Sequence, residues 1–91
     1  EFVLLQNVPN PFNPVTSIHY KLPEQIHVLL TVYDILGRKV RTLVNETKIS
    51  GTYSIKWNGT TDSGKAVGSG VYIYELTTPQ FTSTRKMIII K

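Results

Sequence analysis

Residues 28–44, VLLTVYDILGRKVRTLV, decide the fold because they predict two β-strands joined by a tight turn. In the first arm Val28, Leu30 and Val32 occupy every second position, which is the period of a strand. The turn is predicted at Asp34-Ile35-Leu36-Gly37, where aspartate in the first place bonds the backbone two residues on and glycine in the fourth place accepts positive φ. Because a lone hairpin is marginal in water, the rest of the chain must supply strands that cover it.

Alternating or dense apolar runs on both sides of the hairpin predict the other strands, and no helix is expected. The first arm of the hairpin is expected to start at Ile26. Outside the two arms, the expected strands are 2–5, 16–22, 50–57, 71–77 and 81–91. Between strands we expect a rigid proline connector at 6–14, a polar loop at 45–48 and a long glycine-bearing loop at 58–70. Seven short strands with closely spaced turns are typical of an all-β, antiparallel, immunoglobulin-like β-sandwich.

The aromatic residues are expected mainly in the core of this sandwich. Trp57 shares its strand parity with Tyr53 and Ile55, so we place it inside, and Phe12 is expected to plug one end of the core. An alternative is that the tyrosines and Trp57 form a sugar-stacking platform, for which Tyr33 is the best exposed candidate.

Composition limits the class of protein. A chain of 91 residues with 41% hydrophobic and 18% charged residues is typical of one soluble globular domain, here residues 1–91. The chain has no cysteine, so it has neither a disulfide nor a thiolate metal site. No apolar run approaches the ~20 residues of a membrane span. The net charge of +4 is dispersed along the chain, so we expect no nucleic-acid partner.

No set of residues predicts catalysis, cofactor binding or a metal centre. His19 and His27 have no acidic residue at a ligand spacing, and the six carboxylates fall singly at turns, at the terminus or on strands. The loop 58–64, NGTTDSG, is rich in oxygen ligands and leaves a weak calcium site as an alternative. The simpler interpretation is a turn in which Asp62 bonds the backbone and Gly64 takes positive φ.

Four stretches together resemble a known family: residues 4–23, 28–44, 51–76 and 81–91. They are similar to the C-terminal sorting domain of type IX secretion cargo (the Por secretion tail), which is close to the FlgD-like, Ig-like domain of the flagellar hook-capping protein. The matching motifs, in chain order, are Pro9–Phe12, Tyr33-Asp34 with Gly37-Arg38, Gly70–Tyr72 and Lys86–Lys91. The stretch Trp57–Gly64 is closer to the hook-cap version than to the shortest sorting tails.

The resemblance implies a non-catalytic domain that forms the last piece of a larger exported bacterial protein. Its partners would be the outer-membrane secretion machinery and an upstream catalytic or adhesive domain of the same chain. Its location would be secreted or at the cell surface, reached through the periplasm, with the export signal upstream of this fragment and Lys91 as the chain terminus. The alternatives are a structural Ig-like linker or assembly domain, and a carbohydrate-binding accessory module of a secreted hydrolase.

The C-terminal strand is the expected site of partner binding. Residues 87–90 are apolar at four successive positions, whereas a strand with one wet face would alternate. One face belongs to the core, and the other is either covered by another segment or left as an apolar strip with a basic rim, suited to docking, possibly by strand addition at a sheet edge. The predicted partner-binding residues are Arg85, Lys86, Ile88, Ile90 and Lys91.

Overall fold

The predicted hairpin lies in the middle of a chain of seven strands, and the computed structural model describes all of residues 1–91. The strands are β1 Val3–Leu4, β2 Thr16–Leu22, β3 Ile26–Asp34, β4 Lys39–Lys48, β5 Gly51–Trp57, β6 Gly70–Thr78 and β7 Phe81–Ile89. They form a three-stranded sheet in the order β1-β2-β5 and a four-stranded sheet in the order β4-β3-β6-β7. Every strand pair is antiparallel, which confirms the predicted all-β immunoglobulin-like sandwich. The structure contains no helix of the length and apolarity needed to cross a bilayer.

The turn between β3 and β4 is the one predicted from its residues. The N–H of Gly37 donates to the carbonyl of Asp34 at 3.0 Å, and Gly37 has φ of 82°. The carboxylate of Asp34 accepts from the N–H groups of Leu36 and Arg38, each at 2.9 Å. These bonds lower the pKa of Asp34, with the Arg38 N–H as the largest cause. The turn is therefore closed by its own first residue.

Several predicted boundaries differ from those of the structure. The polar segment 45–48 is not a loop but the second half of β4, which pairs along β3 as far back as Ile26. Its side chains need no burial because β4 is an edge strand, and edge strands tolerate polar and charged residues. At the two ends of the chain, β1 is shorter than the expected 2–5, and β7 ends at Ile89 rather than Lys91.

The core lies between the two sheets and contains the residues that the alternation placed inside. Trp57 is 1% exposed, and its ring packs at a tilt on Phe12 and edge-on to Tyr72. Phe12 is itself buried, so the prediction that it plugs the core is confirmed. The other fully enclosed large side chains are Ile18, Tyr20, Leu22, Val28, Leu30, Val32, Tyr74, Leu76, Met87 and Ile89. Both sheets contribute to this one core.

Candidate partner-binding surface

The last strand has apolar side chains on both of its faces. Met87 and Ile89 are buried in the core, whereas Ile88 is 40% exposed and Ile90, just beyond the end of β7, is 53% exposed. The alternation follows directly from the two-residue period of a strand. The structure thus places Ile88 and Ile90 on the surface, where a partner could reach them.

The three basic residues of the predicted site do not share one face. Lys86 lies on the outer face with Ile88. Arg85 points to the other side, where it stands opposite Tyr74 and its Nε donates to the carbonyl of Leu4 at 2.7 Å. Lys91 lies past the strand, and its backbone N–H donates to Ser69 Oγ at 3.0 Å. Arg85 therefore ties β7 to β1 instead of extending the basic rim around Ile88.

The free edge of β7 is covered by the proline connector, residues 6–14. The bonds are Gln6 Nε2 to Lys86 O (2.7 Å), Ile88 N to Asn10 Oδ1 (2.9 Å), Phe12 N to Ile88 O (3.0 Å) and Ile90 N to Phe12 O (3.0 Å). A partner strand cannot add to this part of the edge without displacing the connector, because the outward backbone groups are already bonded. This finding speaks against strand addition at residues 86–90, which was one docking mode expected from the sequence.

A buried side-chain network holds the connector in place, and sequence reasoning did not find it. Asn7 and Thr16 are 2% and 1% exposed. The Nδ2 of Asn7 donates to Thr16 Oγ1 at 2.9 Å and to the carbonyl of Pro9 at 3.1 Å, and Thr16 Oγ1 donates to the same carbonyl at 2.9 Å. An asparagine within a proline-rich segment, which has few backbone donors of its own, is the signal that would have indicated this role.

The outer face of the four-stranded sheet brings further residues close to Ile88. Cross-strand pairing places Val71 of β6 opposite Ile88, and Ile73 opposite both Lys86 of β7 and Tyr33 of β3. Val71 is 39% exposed, while Ile73 and Tyr33 are half-buried. The apolar surface around Ile88 is therefore wider than the last strand.

The loop 58–64 acts as a cover for the edge of β4. Asp62 accepts from the N–H of Thr42 at 3.0 Å and donates its own N–H to the carbonyl of Val40 at 3.1 Å. Gly64 has φ of 89°, so the positive φ predicted for this turn is confirmed. The carboxylate of Asp62 binds the backbone of β4 instead of the backbone of the turn. Arg41 completes the contact by donating to Thr60 Oγ1 and Thr61 O.

The remaining candidate residues do not assemble into a chemical site. No group of three His, Asp or Glu side chains comes together in a metal-binding arrangement, and the surface has no detectable cavity. The ring of His27 pairs with Asn45 Oδ1 at 2.8 Å. Trp57, Tyr20 and Tyr74 are buried and Tyr53 and Tyr72 pack against the core, so the predicted core location of these aromatics is confirmed. Tyr33 is half-buried and takes part in no ring pair.

Two antiparallel sheets closed over one core define the class of this protein as an immunoglobulin-like β-sandwich. Within that class, the family model of the FlgD Ig-like domain matches residues 13–80. The chain therefore belongs to the FlgD Ig-like domain family. No curated protein matches it.

Three solved structures share this fold. Dimeric latent PorU from Porphyromonas gingivalis shares 23% identity with a TM-score of 0.75, over 96% of this chain and 9% of PorU. PorZ, an essential surface component of the type IX secretion system of the same organism, shares 23% identity with a TM-score of 0.67, over 94% of this chain and 11% of PorZ. FlgD from P. aeruginosa shares 25% identity with a TM-score of 0.64, over 81% of this chain and 58% of FlgD. The chain thus spans a small part of PorU and PorZ and about half of FlgD.

Proposed function

We propose that residues 1–91 are a non-catalytic sorting and surface-attachment domain at the C-terminal end of an exported bacterial protein. The observation that carries the proposal is the last strand, which buries Met87 and Ile89 while Ile88 and Ile90 stay exposed. The shared fold with PorU and PorZ supports a type IX context. The partner is the outer-membrane secretion machinery, and the cargo is an upstream catalytic or adhesive domain. The mature protein is secreted or held at the cell surface.

The proposed mode of recognition follows from the side chains that the last strand exposes. A folded sandwich cannot offer its core residues, so a partner reads the exposed side chains. Ile88 and Ile90 each offer apolar area, and burying such area against a partner contributes about 25 cal/mol per Å² before the costs of association are subtracted. The domain then acts as a rigid recognition surface, with no chemical step of its own.

The test is a gain of export. A reporter with a general export signal is fused to residues 1–91 and expressed in a bacterium that has a functional type IX system. We expect the fusion at the cell surface, the unfused reporter in the periplasm, and both in the periplasm of a strain without the translocon. Retention of the fusion in the periplasm of the competent strain would contradict the proposal.

A second candidate function is a structural linker or assembly domain. It is favoured by membership in the FlgD Ig-like family and by the likeness to FlgD from P. aeruginosa. In the export experiment this function predicts that the fusion folds but stays in the periplasm. The same measurement therefore separates the two candidates.

A further inference from the structure

The outer face of the four-stranded sheet carries an apolar strip bounded by lysines. One row of paired residues crosses all four strands in the order Lys39, Tyr33, Ile73 and Lys86. Strands in a sheet lie about 4.8 Å apart, so the Cα atoms of the two lysines are about 14 Å apart. In the adjacent row on the same face, Val71, two residues before Ile73, pairs with Ile88, two residues after Lys86. We define the strip as Tyr33, Val71, Ile73 and Ile88.

The strip is accessible to a partner. Val71 and Ile88 are 39% and 40% exposed, and contiguous exposed apolar side chains rimmed by charge mark interaction sites. The N-terminal strand does not cover it, because Phe2 stacks on Phe81 at 5.0 Å, at the opposite end of β7 from Ile88. The connector closes the neighbouring edge, so a partner approaches the face of the sheet rather than its edge.

The charge around the strip is positive. Neither Lys39 nor Lys86 forms an ion pair; the three ion pairs in the structure are Arg38–Asp34, Arg41–Asp62 and Lys48–Glu46. Asp34, near the end of the strip, is already bound by Arg38 at 2.8 Å. Glu75 is the only carboxylate on β6. It lies one row away from Ile73, where it pairs with Thr31 and Thr84. Two unpaired lysines at the ends of an apolar row are complementary to a partner that carries carboxylates.

We propose that the strip and its two lysines are the docking face for a protein that presents apolar side chains between two acidic ones about 14 Å apart. The inference rests on the proposed function and deepens it, because it states the chemistry of the secretion component and adds β3, β4 and β6 to the last strand. A second copy of this chain is a poor occupant, since it would bring lysine against lysine.

The test uses the same reporter fusion with two pairs of variants. Lys39→Glu/Lys86→Glu is compared with Lys21→Glu/Lys56→Glu, which makes the same charge change on the exposed face of the other sheet. Val71→Ser is compared with Val15→Ser, whose side chain is 41% exposed outside the four-stranded sheet. We expect about tenfold lower surface yield for the two strip variants, equivalent to about 1.4 kcal/mol of binding, and wild-type yield for both controls. All four proteins should melt as wild type does.

The outcomes separate the two proposals. Periplasmic retention of the wild-type fusion overturns the proposed function and this inference with it. Surface display of the wild type together with normal yield of either strip variant overturns the inference alone. A dimer of the 91-residue chain that Val71→Ser dissociates would assign the strip to a second copy, and binding to anionic vesicles that Lys39→Glu/Lys86→Glu abolishes would assign it to a membrane; each result also overturns the inference.

Discussion

At the scale of single residues, Trp57 contributes the largest side chain to the core. Its ring contacts Phe12 and Tyr72, and its Nε1 donates to the carbonyl of Thr60 at 2.9 Å. Trp57→Ala should lower the free energy of unfolding by about 3–5 kcal/mol, as for other large-to-small changes in cores. Urea denaturation measures the change. Leu36→Ala, at a side chain 73% exposed, is the control with an expected change within about 0.5 kcal/mol. Equal midpoints for the two variants would mean that Trp57 is not in the core.

Tyr20 makes stability dependent on alkaline pH. The pKa of Tyr20 is raised from 10.0 to about 12, mainly by burial and to a smaller extent by the neighbouring Tyr53 and Glu46. Because the folded pKa lies above the unfolded one, the neutral phenol contributes stability that is complete below pH 10 and is lost as pH rises through 12. The urea midpoint of the wild type should therefore fall over this range, and the urea midpoint of Tyr20→Phe should fall less. Tyr72 and Tyr74, whose pKa values burial also raises, account for the remaining decline. An identical decline in Tyr20→Phe would contradict the assignment.

At the scale of elements, the β3–β4 turn depends on a glycine with positive φ. Gly37 has φ of 82°, and no atom of a neighbouring group lies within 4 Å of the position that a Cβ would take. The cost of a side chain there is therefore conformational rather than steric. Gly37→Ala should destabilise the fold by about 1–2 kcal/mol. Gly68→Ala is the matched control, because Gly68 also has open space but no positive φ, and its change should stay within about 0.5 kcal/mol. Thermal denaturation of the two variants side by side tests the turn, and equal melting temperatures would refute it.

The connector depends on its buried asparagine. Asn7→Ala removes both donors that bind Thr16 Oγ1 and the carbonyl of Pro9, which should cost about 1–3 kcal/mol. Asn13→Ala, at an exposed position in the same segment, should be nearly neutral. Amide hydrogen exchange at Ile88 and Ile90 should accelerate in the Asn7 variant, because both N–H groups bond the connector. Unchanged exchange there would show that the network does not hold the connector on β7.

Sequence patterns predicted most of these elements but not how they pair. The alternation in β2 and β5 and the turn residues Asp34 and Gly37 are local signals, and local signals fix the period and the turn. The strand status of 45–48 is not local, since those polar residues extend β4 only because β3 reaches back to Ile26. The sequence already placed the start of the first arm at Ile26, and this length was the available indication that 45–48 continue the second arm.

At the scale of the whole molecule, the sequence predicted the surface position of Ile88 and Ile90 but grouped Arg85 with them. Strand parity alone separates Arg85 from Lys86, so their placement on different faces could have been predicted from the sequence. The position of Tyr33, Ile73 and Val71 beside Ile88 on one face could not be predicted, because it depends on the register between β3 and β6 and between β6 and β7. The connector on the edge of β7 depends in the same way on contacts between the two ends of the chain.

The proposed function requires that the folded domain be recognised through the exposed side chains of its last strand. The most direct measurement is the surface-displayed fraction of the reporter fusion carrying Ile88→Ser/Ile90→Ser, beside a control carrying Leu5→Ser/Ile49→Ser at side chains 48% and 67% exposed elsewhere. Met87 and Ile89 stay in place, so both proteins should melt as wild type does. We predict a surface fraction about tenfold lower for the Ile88/Ile90 variant, equivalent to about 1.4 kcal/mol of binding, and an unchanged fraction for the control. Equal display of the two folded variants would contradict the claim.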